Sequence, residues 1–138
     1  GTNWTEVNDL NSARRTMGCG ADNTSALAFG GQPSDSGAVS ALTESWNGTN
    51  WTEVNDLNTG RYNIGSSNAA PSTSMIVFGG GPPNTGATEQ WNGTNWTETN
   101  DMNTARNALS GAGVYASSIG FAGNPAGSAV AITEVLQV

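Results

Sequence analysis

The side chains that could carry chemistry in this 138-residue chain are few, and most of them recur at a fixed spacing. The sequence has eleven Asp and Glu residues, four Arg residues, and neither Lys nor His. Nine of the eleven acids and three of the four Arg residues stand at equivalent positions of a threefold repeat. A catalytic group is needed once per site, so a charge that appears in every repeat is better explained as part of the scaffold.

The repeated Glu and Arg residues have the pattern of buried ion pairs. Glu44 shares one face of its predicted strand with Leu42 and Trp46, because alternate residues of a strand point to the same side. A charge buried without a partner is costly, and the repeated Arg residues are the available cations. We therefore predict structural ion pairs; a ring of carboxylates that binds cations is the alternative. The predicted pairs combine Arg14, Arg61 and Arg106 with Glu44, Glu89 and Glu134.

The amino-acid composition argues against an enzyme. The absence of His removes the commonest general base and metal ligand. A glycosidase needs a pair of acids, and Asp22 and Asp35 are the only carboxylates outside the repeat pattern. Both lie among turn-forming residues, where Asp is ordinary. We therefore expect no enzymatic activity, no catalytic residue, no metal site and no cofactor.

The net charge narrows the range of partners. A charge of −7 and a pI near 4.1 disfavour nucleic acids and anionic membranes. The longest aliphatic run, Met75–Phe78, is far too short to cross a bilayer, so no membrane insertion is expected. The single cysteine, Cys19, is expected to be a small core residue, because Ser66 and Gly111 take its place in the other copies.

The phrase GTNWTE opens each of three repeats, which we place at residues 1–47, 48–92 and 93–138 of a single unit. A period in the mid-forties is typical of a propeller blade or of a long helical repeat. The nineteen Gly residues argue against helices, because Gly costs about 1 kcal/mol at each helix position.

Each repeat instead has the pattern of four short strands joined by turns. In the first repeat and the start of the second, the predicted strands are Thr16–Ala21, Ser25–Phe29, Ala41–Trp46 and Asn50–Val54. The last two are joined by Asn47-Gly48, the strongest short hairpin signal. Short alternating runs between turn residues, without a helical period, predict an all-β fold.

These residues also resemble a known family. The motif is a hydrophobic strand that ends in Gly-Gly, as in residues 29–31 and 78–80, followed by Trp and by an Arg that opens the next unit. This resembles the kelch motif, and the resemblance covers the whole chain. It implies a β-propeller in which each repeat supplies one four-stranded blade. Two departures are that the hairpin from Trp46 to Trp51 is short and that Trp stands where kelch units usually carry Tyr.

The resemblance also bears on function. The copper oxidases built on kelch propellers require His and a Tyr–Cys pairing, for which Tyr62 and Tyr115 have no partners here. The near-identical copies are most similar to kelch-like repeats of tailed phages and aquatic bacteria. That similarity implies a role on a virion or a cell surface, with a glycan or a protein as ligand.

Three blades do not close a ring, and the strand count suggests how closure is reached. The chain begins with a fourth strand, Asn3–Val7, and ends with only three strands in residues 104–136. We expect a homodimer in which residues 1–7 complete the last blade of the partner, giving six blades. The last copy has Leu136 in place of Trp and stops at Val138, which indicates a real terminus; a segment of a longer array is the alternative.

The loops between the second and third strands are the candidates for binding, because they vary while the rest repeats. They span Gln32–Ser40, Gly81–Thr85 and Asn124–Ala129. Binding residues concentrate on loops that a rigid scaffold presents, although unselected loops also drift. The leading hypothesis is a binding or adhesion module, and the alternative is a structural assembly unit without a small ligand. The candidate binding residues are Gln32, Ser34, Asp35, Ser36, Asn84, Thr85, Asn124 and Ser128.

Overall fold

The structure is a computed structural model that describes residues 2–33 and 38–137. Among these residues there are only strands and connections, and no helix is long and apolar enough to span a membrane. The strands are β1 (Arg14–Arg15), β2 (Gly18–Ala21), β3 (Ala26–Phe29), β4 (Gln32–Pro33), β5 (Thr43–Trp46), β6 (Trp51–Val54), β7 (Gly65–Ser66), β8 (Met75–Phe78), β9 (Thr88–Trp91), β10 (Trp96–Thr99), β11 (Ser110–Val114), β12 (Ser117–Phe121) and β13 (Thr133–Val135).

The longer strands form three antiparallel sheets, which we call the first, second and third blades. The first blade has the order β2-β3-β5-β6, the second β7-β8-β9-β10, and the third β11-β12-β13. The predicted all-β fold is therefore confirmed, and in the first blade each predicted strand begins within two residues of the observed one. The third blade has three strands where the other two have four.

The hairpins between the third and fourth strands follow the turn chemistry of the sequence. Gly48 and Gly93 have φ values of 91° and 95°, which a residue with a side chain adopts only with strain. The Asn47 side chain accepts hydrogen bonds from the backbone N–H groups of Thr49 and Asn50, at 3.0 and 2.9 Å. Asn92 repeats the same contacts in the second blade. The Asn-Gly pair thus fixes the register between the third and fourth strands of each of these two blades.

The core lies between the blades, and β8 contributes to it on both faces. Its four residues are all buried. Met75 and Val77 belong to the cluster shared with the first blade, and Ile76 and Phe78 to the cluster shared with the third. Gly65 on the inner strand leaves room for the Phe78 ring, since a Cβ atom there would lie 2.4 Å from it. The continuous apolar run of β8 is typical of a strand covered on both sides.

Two short strands were not predicted from the sequence. β1 pairs with β4, which joins Arg14 to Pro33 and Arg15 to Gln32. A two-residue pairing of polar residues has no detectable alternation, so no sequence pattern indicates it.

Residues 2–7 form no strand within the single chain, where no neighbouring strand is available to pair with them, and Trp4 is fully exposed. That residues 1–7 complete the last blade of a partner stays a prediction. One sequence expectation is wrong. Cys19 is exposed rather than part of the core. Its neighbour Gly20 faces the second blade, where an added Cβ atom would meet Met75. By alternation Cys19 faces the opposite side, where this chain supplies no further blade.

Candidate functional site

The Glu residue on the third strand of each blade accepts hydrogen bonds from the link that precedes that blade. Glu89 on β9 accepts the backbone N–H of Asn58 at 2.8 Å and the side-chain amide of the same residue at 2.9 Å. The Arg61 guanidinium donates to the other carboxylate oxygen at 2.8 Å. The side chains of Arg61 and Glu89 are each only 1% exposed. Both carboxylate oxygens therefore have hydrogen-bond donors, and the buried charge has a cationic partner, which offsets the cost of burying it.

The Arg–Glu pair and the backbone donor recur in the other two blades. Arg14 lies 3.0 Å from Glu44, and Arg106 is bonded to Glu134. Glu44 also accepts from the backbone and side chain of Asn11. In the third blade the Asn103 backbone donates to Glu134, so all three predicted partners of Arg are brought together with their Glu residues.

The repeated Arg also joins neighbouring blades. The backbone of Arg61 donates to Ser40 O of the first blade and accepts from Gly31 N, at 3.1 and 2.8 Å. Its side chain reaches into the second blade and donates to Ala87 O at 2.7 Å as well as to Glu89. One residue therefore fixes the relative position of two blades through its backbone on one side and its charge on the other.

The electrostatic environment favours a structural role for these pairs. Burial lowers the pKa of Arg61, while Glu89 acts in the opposite direction. Desolvation raises the pKa of Glu134, but hydrogen bonds from Arg106 and from the Asn103 and Thr104 backbones outweigh it, so the pKa lies below its usual value. A carboxylate held ionised in this way is a poor proton donor.

Asp22, one of the two acids outside the repeat pattern, is also engaged locally. Its carboxylate accepts the hydroxyl of Thr24 at 2.6 Å and the backbone N–H groups of Thr24 and Ser25. The Thr24 side chain, followed by these backbone groups, lowers the pKa of Asp22. These local hydrogen bonds stabilise a turn. They also keep the Asp22 carboxylate ionised, so Asp22 is unsuited to protonating a leaving group. Asp35 lies outside the described residues.

The predicted binding residues lie in the loops that join the second and third strands. Asn84 in the second blade donates to Asn124 O and Pro125 O of the third blade, at 2.8 and 2.9 Å. Thr85 accepts from Ala87 N within its own loop. Asn84 and Asn124 are thus brought together, and these two neighbouring loops contact each other directly.

The remaining candidates are more dispersed. Gln32 lies on β4, where its side-chain oxygen accepts from Arg15 at 3.2 Å. Ser128 is exposed in the third blade's loop. Ser34, Asp35 and Ser36 lie outside the described residues. Within the ranges 2–33 and 38–137, no group of three or more His, Cys, Asp or Glu residues could hold a metal ion.

A cavity of about 140 Å³ lies between the second and third blades, away from these loops. Sequence reasoning did not identify it, because the cavity forms only when two blades pack face to face. The signal that pointed towards it was the missing fourth strand of the last repeat. Its wall includes Ile76, Phe78, Thr88, Met102, Asn103 and Leu136.

Comparison with known proteins supports the fold. No protein-family model matches the sequence. No curated protein matches it either. The solved structure of YjhT, a β-propeller-type protein, superposes with a TM-score of 0.79 at 13% sequence identity. The superposition covers 94% of this chain and 44% of that chain, so this chain spans less than half of the neighbour's length. The fold is therefore β-propeller-like.

The Arg–Glu pairs can be tested by removing one cation. We expect Arg61→Ala to lower the free energy of unfolding by about 3–5 kcal/mol, because Glu89 would remain buried without its partner. Arg15→Ala is the matched control: Arg15 is exposed, and its loss should cost about 0.5 kcal/mol or less. Denaturant titration of both variants measures the difference. Equal, small losses would show that the Arg61–Glu89 pair contributes little to stability.

Proposed function

We propose that this chain is a non-catalytic β-propeller module that binds a neutral glycan or the polar surface of a protein. The observation that carries the proposal is the contact between neighbouring variable loops, in which Asn84 bridges to Asn124 and Pro125. These loops differ in length between copies, whereas the hairpins and ion pairs beneath them are repeated. A uniform scaffold that carries variable, adjacent loops is a common arrangement in binding proteins.

The loop composition indicates the class of ligand. The segments Gln32–Ser40, Gly81–Thr85 and Asn124–Ala129 contain no aromatic residue, no Lys and no Arg. They offer hydrogen-bonding groups and backbone shaped by Gly and Pro, which suits hydroxyl-rich or amide-rich surfaces. Without a stacking platform or a strong charge, the affinity of a single site should be weak, on the order of micromolar to millimolar.

We also propose that two chains close into a six-bladed ring. Both ends of the three-blade arc expose apolar side chains: Trp4 and Val7 at one end, Phe121 and Val135 at the other. Apolar surface of this kind on a soluble protein marks an interface. The arc matches 44% of the YjhT chain, so two arcs approach the length of that protein. A two-fold ring presents every loop twice, and a linked ligand that reaches both copies gains about 10²-fold by avidity.

A second candidate function is a purely structural assembly unit. It is favoured by the saturation of several loop groups within the protein. The side-chain amide of Asn84 makes two internal bonds, and the Asn124 side chain accepts from Gly127 N. Groups used in this way hold the loops in place and leave fewer contacts for a ligand.

The assembly is tested by mass. Because each chain is 14.1 kDa, we expect one species of about 28 kDa in light scattering at micromolar concentration. A folded species at the single-chain mass would contradict ring closure by two copies. A trimer would replace six blades with nine.

The binding surface is tested by exchanging loops. Replacing Gln32–Ser40 with the shorter Gly81–Thr85 sequence should leave the assembly intact, because the ion pairs lie outside these segments. On a glycan array, the exchange should remove or alter the glycans that the unmodified chain binds. Unchanged binding would move the site to the central channel. An array on which the unmodified chain binds nothing would favour the structural unit.

A further inference from the structure

The cavity between the second and third blades has a filled counterpart between the first and second. There, Trp96 on β10 is 5% exposed and packs edge-on against Phe29, with ring centroids 5.0 Å apart. Its indole N–H donates to Thr43 Oγ1 at 3.0 Å. The outer strand of the second blade thus inserts a Trp side chain between its own blade and the preceding one.

The wall that surrounds Trp96 is repeated around the cavity. The alignment of the copies places Phe78 at the position of Phe29 and Thr88 at the position of Thr43. Both residues line the cavity, and so does Met102, the counterpart of Leu57. Thr88 Oγ1 donates to Gly86 O at 3.2 Å, which leaves its oxygen able to accept a hydrogen bond. The cavity therefore has the residues of a Trp site, but the described part of the third blade has no outer strand to supply one.

Two side-chain amides beside the third blade point to the same absent strand. In the second blade, Asn58 donates to the backbone of Trp96 at 3.3 Å, and Asn55 donates to Thr94 O at 2.9 Å. Asn11 and Asn8 make the equivalent bonds to the outer strand of the first blade. Their counterparts at the third blade are Asn103 and Asn100, which line the cavity. Over residues 2–33 and 38–137, the amides of this last pair donate no hydrogen bond.

One segment of the chain matches this site by sequence. Residues 1–6 read GTNWTE, identical to residues 48–53 and 93–98, which begin the outer strands of the first and second blades. Trp4 is the counterpart of Trp51 and Trp96, and it is fully exposed. The segment repeats the sequence of both outer strands, and Trp4 is the residue type that fills the Trp96 site between the first and second blades.

The segment that completes the third blade cannot be residues 2–7 of the same chain. Asn8 and Asn11 are bonded to the outer hairpin of the first blade, which fixes the chain that follows Trp4 there. In the next repeat, the equivalent Asn55 follows an outer strand that belongs to the preceding blade. Residues 2–7 are therefore placed beside the first blade, where the outer strand of a preceding blade would lie. The cavity is elsewhere, between the second and third blades.

We propose that the cavity is the docking site for Trp4 of a second copy of this chain. Residues 2–7 of that copy add to β13 as an antiparallel outer strand, and the Trp4 indole packs on Phe78 and donates to Thr88 Oγ1. The Asn100 and Asn103 amides bind the backbone of the incoming segment. This inference rests on the proposed ring of two chains and names the contact that would form its seam.

The open end of the third blade has a matching second contact. Phe121 is 38% exposed, whereas its counterparts Phe29 and Phe78 are 0% and 5% exposed. Thr133 is exposed, whereas Thr43 is buried. By the same alignment, Trp51 of the copy that donates Trp4 would cover Phe121 and donate to Thr133. Each seam then contains two Trp contacts, one made by the exchanged strand and one by the first blade.

The test compares Trp4→Ala with Thr5→Ala in the full chain. The counterparts of Thr5 on the outer strands, Thr52 and Thr97, are exposed, so this control changes the same strand without entering the cavity. Because a buried Trp is a typical interface hot spot and the ring has two seams, Trp4→Ala should weaken dimerisation at least about 100-fold. Thr5→Ala should weaken it less than about threefold. Light scattering over a dilution series gives both dissociation constants, and circular dichroism checks that each variant is folded.

A second measurement tests the acceptor site independently of the dimer. A synthetic peptide of residues 1–7, labelled with a fluorophore after Val7, is titrated with the full-length Trp4→Ala chain and followed by anisotropy. The peptide should bind, and the same peptide with Ala in place of Trp should not. Peptide binding without a wild-type dimer would support this docking site while contradicting ring closure by two copies. A dimer that both variants form equally well, with no peptide binding, would overturn the docking site alone. A monomeric wild-type chain that binds no peptide would overturn both.

Discussion

The buried carboxylate on the third strand of each blade is the interaction on which the rest of this structure depends. Glu89 gathers the Asn58 backbone, the Asn58 side chain and the Arg61 guanidinium around one anion. None of these donors belongs to the same strand as Glu89, so the carboxylate holds the incoming link against the blade. Removing either charge would leave the other buried, which is why the Glu and the Arg recur together.

That interaction also determines how the blades are arranged along the chain. Arg61 bonds the first blade through its backbone and the second blade through its side chain. The link that contains it therefore fixes the position of the second blade relative to the first. The outer strand of a blade directly precedes this link, so every repeat opens with the last strand of the preceding blade. Three repeats therefore give two complete blades, one blade of three strands and, at the other end, a segment with the sequence of an outer strand.

Much of the fold could be predicted from local sequence signals. The Asn47-Gly48 turn predicted a hairpin, and the short alternating runs predicted strands, because turn chemistry and alternation act within a few residues. The pairing of Arg with Glu was predictable because Glu44 shares a strand face with core residues and the repeated Arg residues are the available cations. The roles of Asn58 and Thr43 were not predicted, since both depend on contacts between segments about 30 and 50 residues apart. Their recurrence in every copy was the available signal. Cys19 was misplaced for the same reason: its burial is decided by a blade that this chain does not supply.

The central claim is that residues 2–7 form a strand only against another copy of the chain. Hydrogen–deuterium exchange tests it directly, because the sequence contains its own references: residues 2–6 recur without change at 49–53 and 94–98. At concentrations where the dimer forms, peptides from residues 2–7 should be protected to a degree similar to those references, and the protection should fall on dilution while the references remain protected. Exchange of residues 2–7 at the rate of an unfolded peptide, at concentrations where the chain is dimeric, would contradict it.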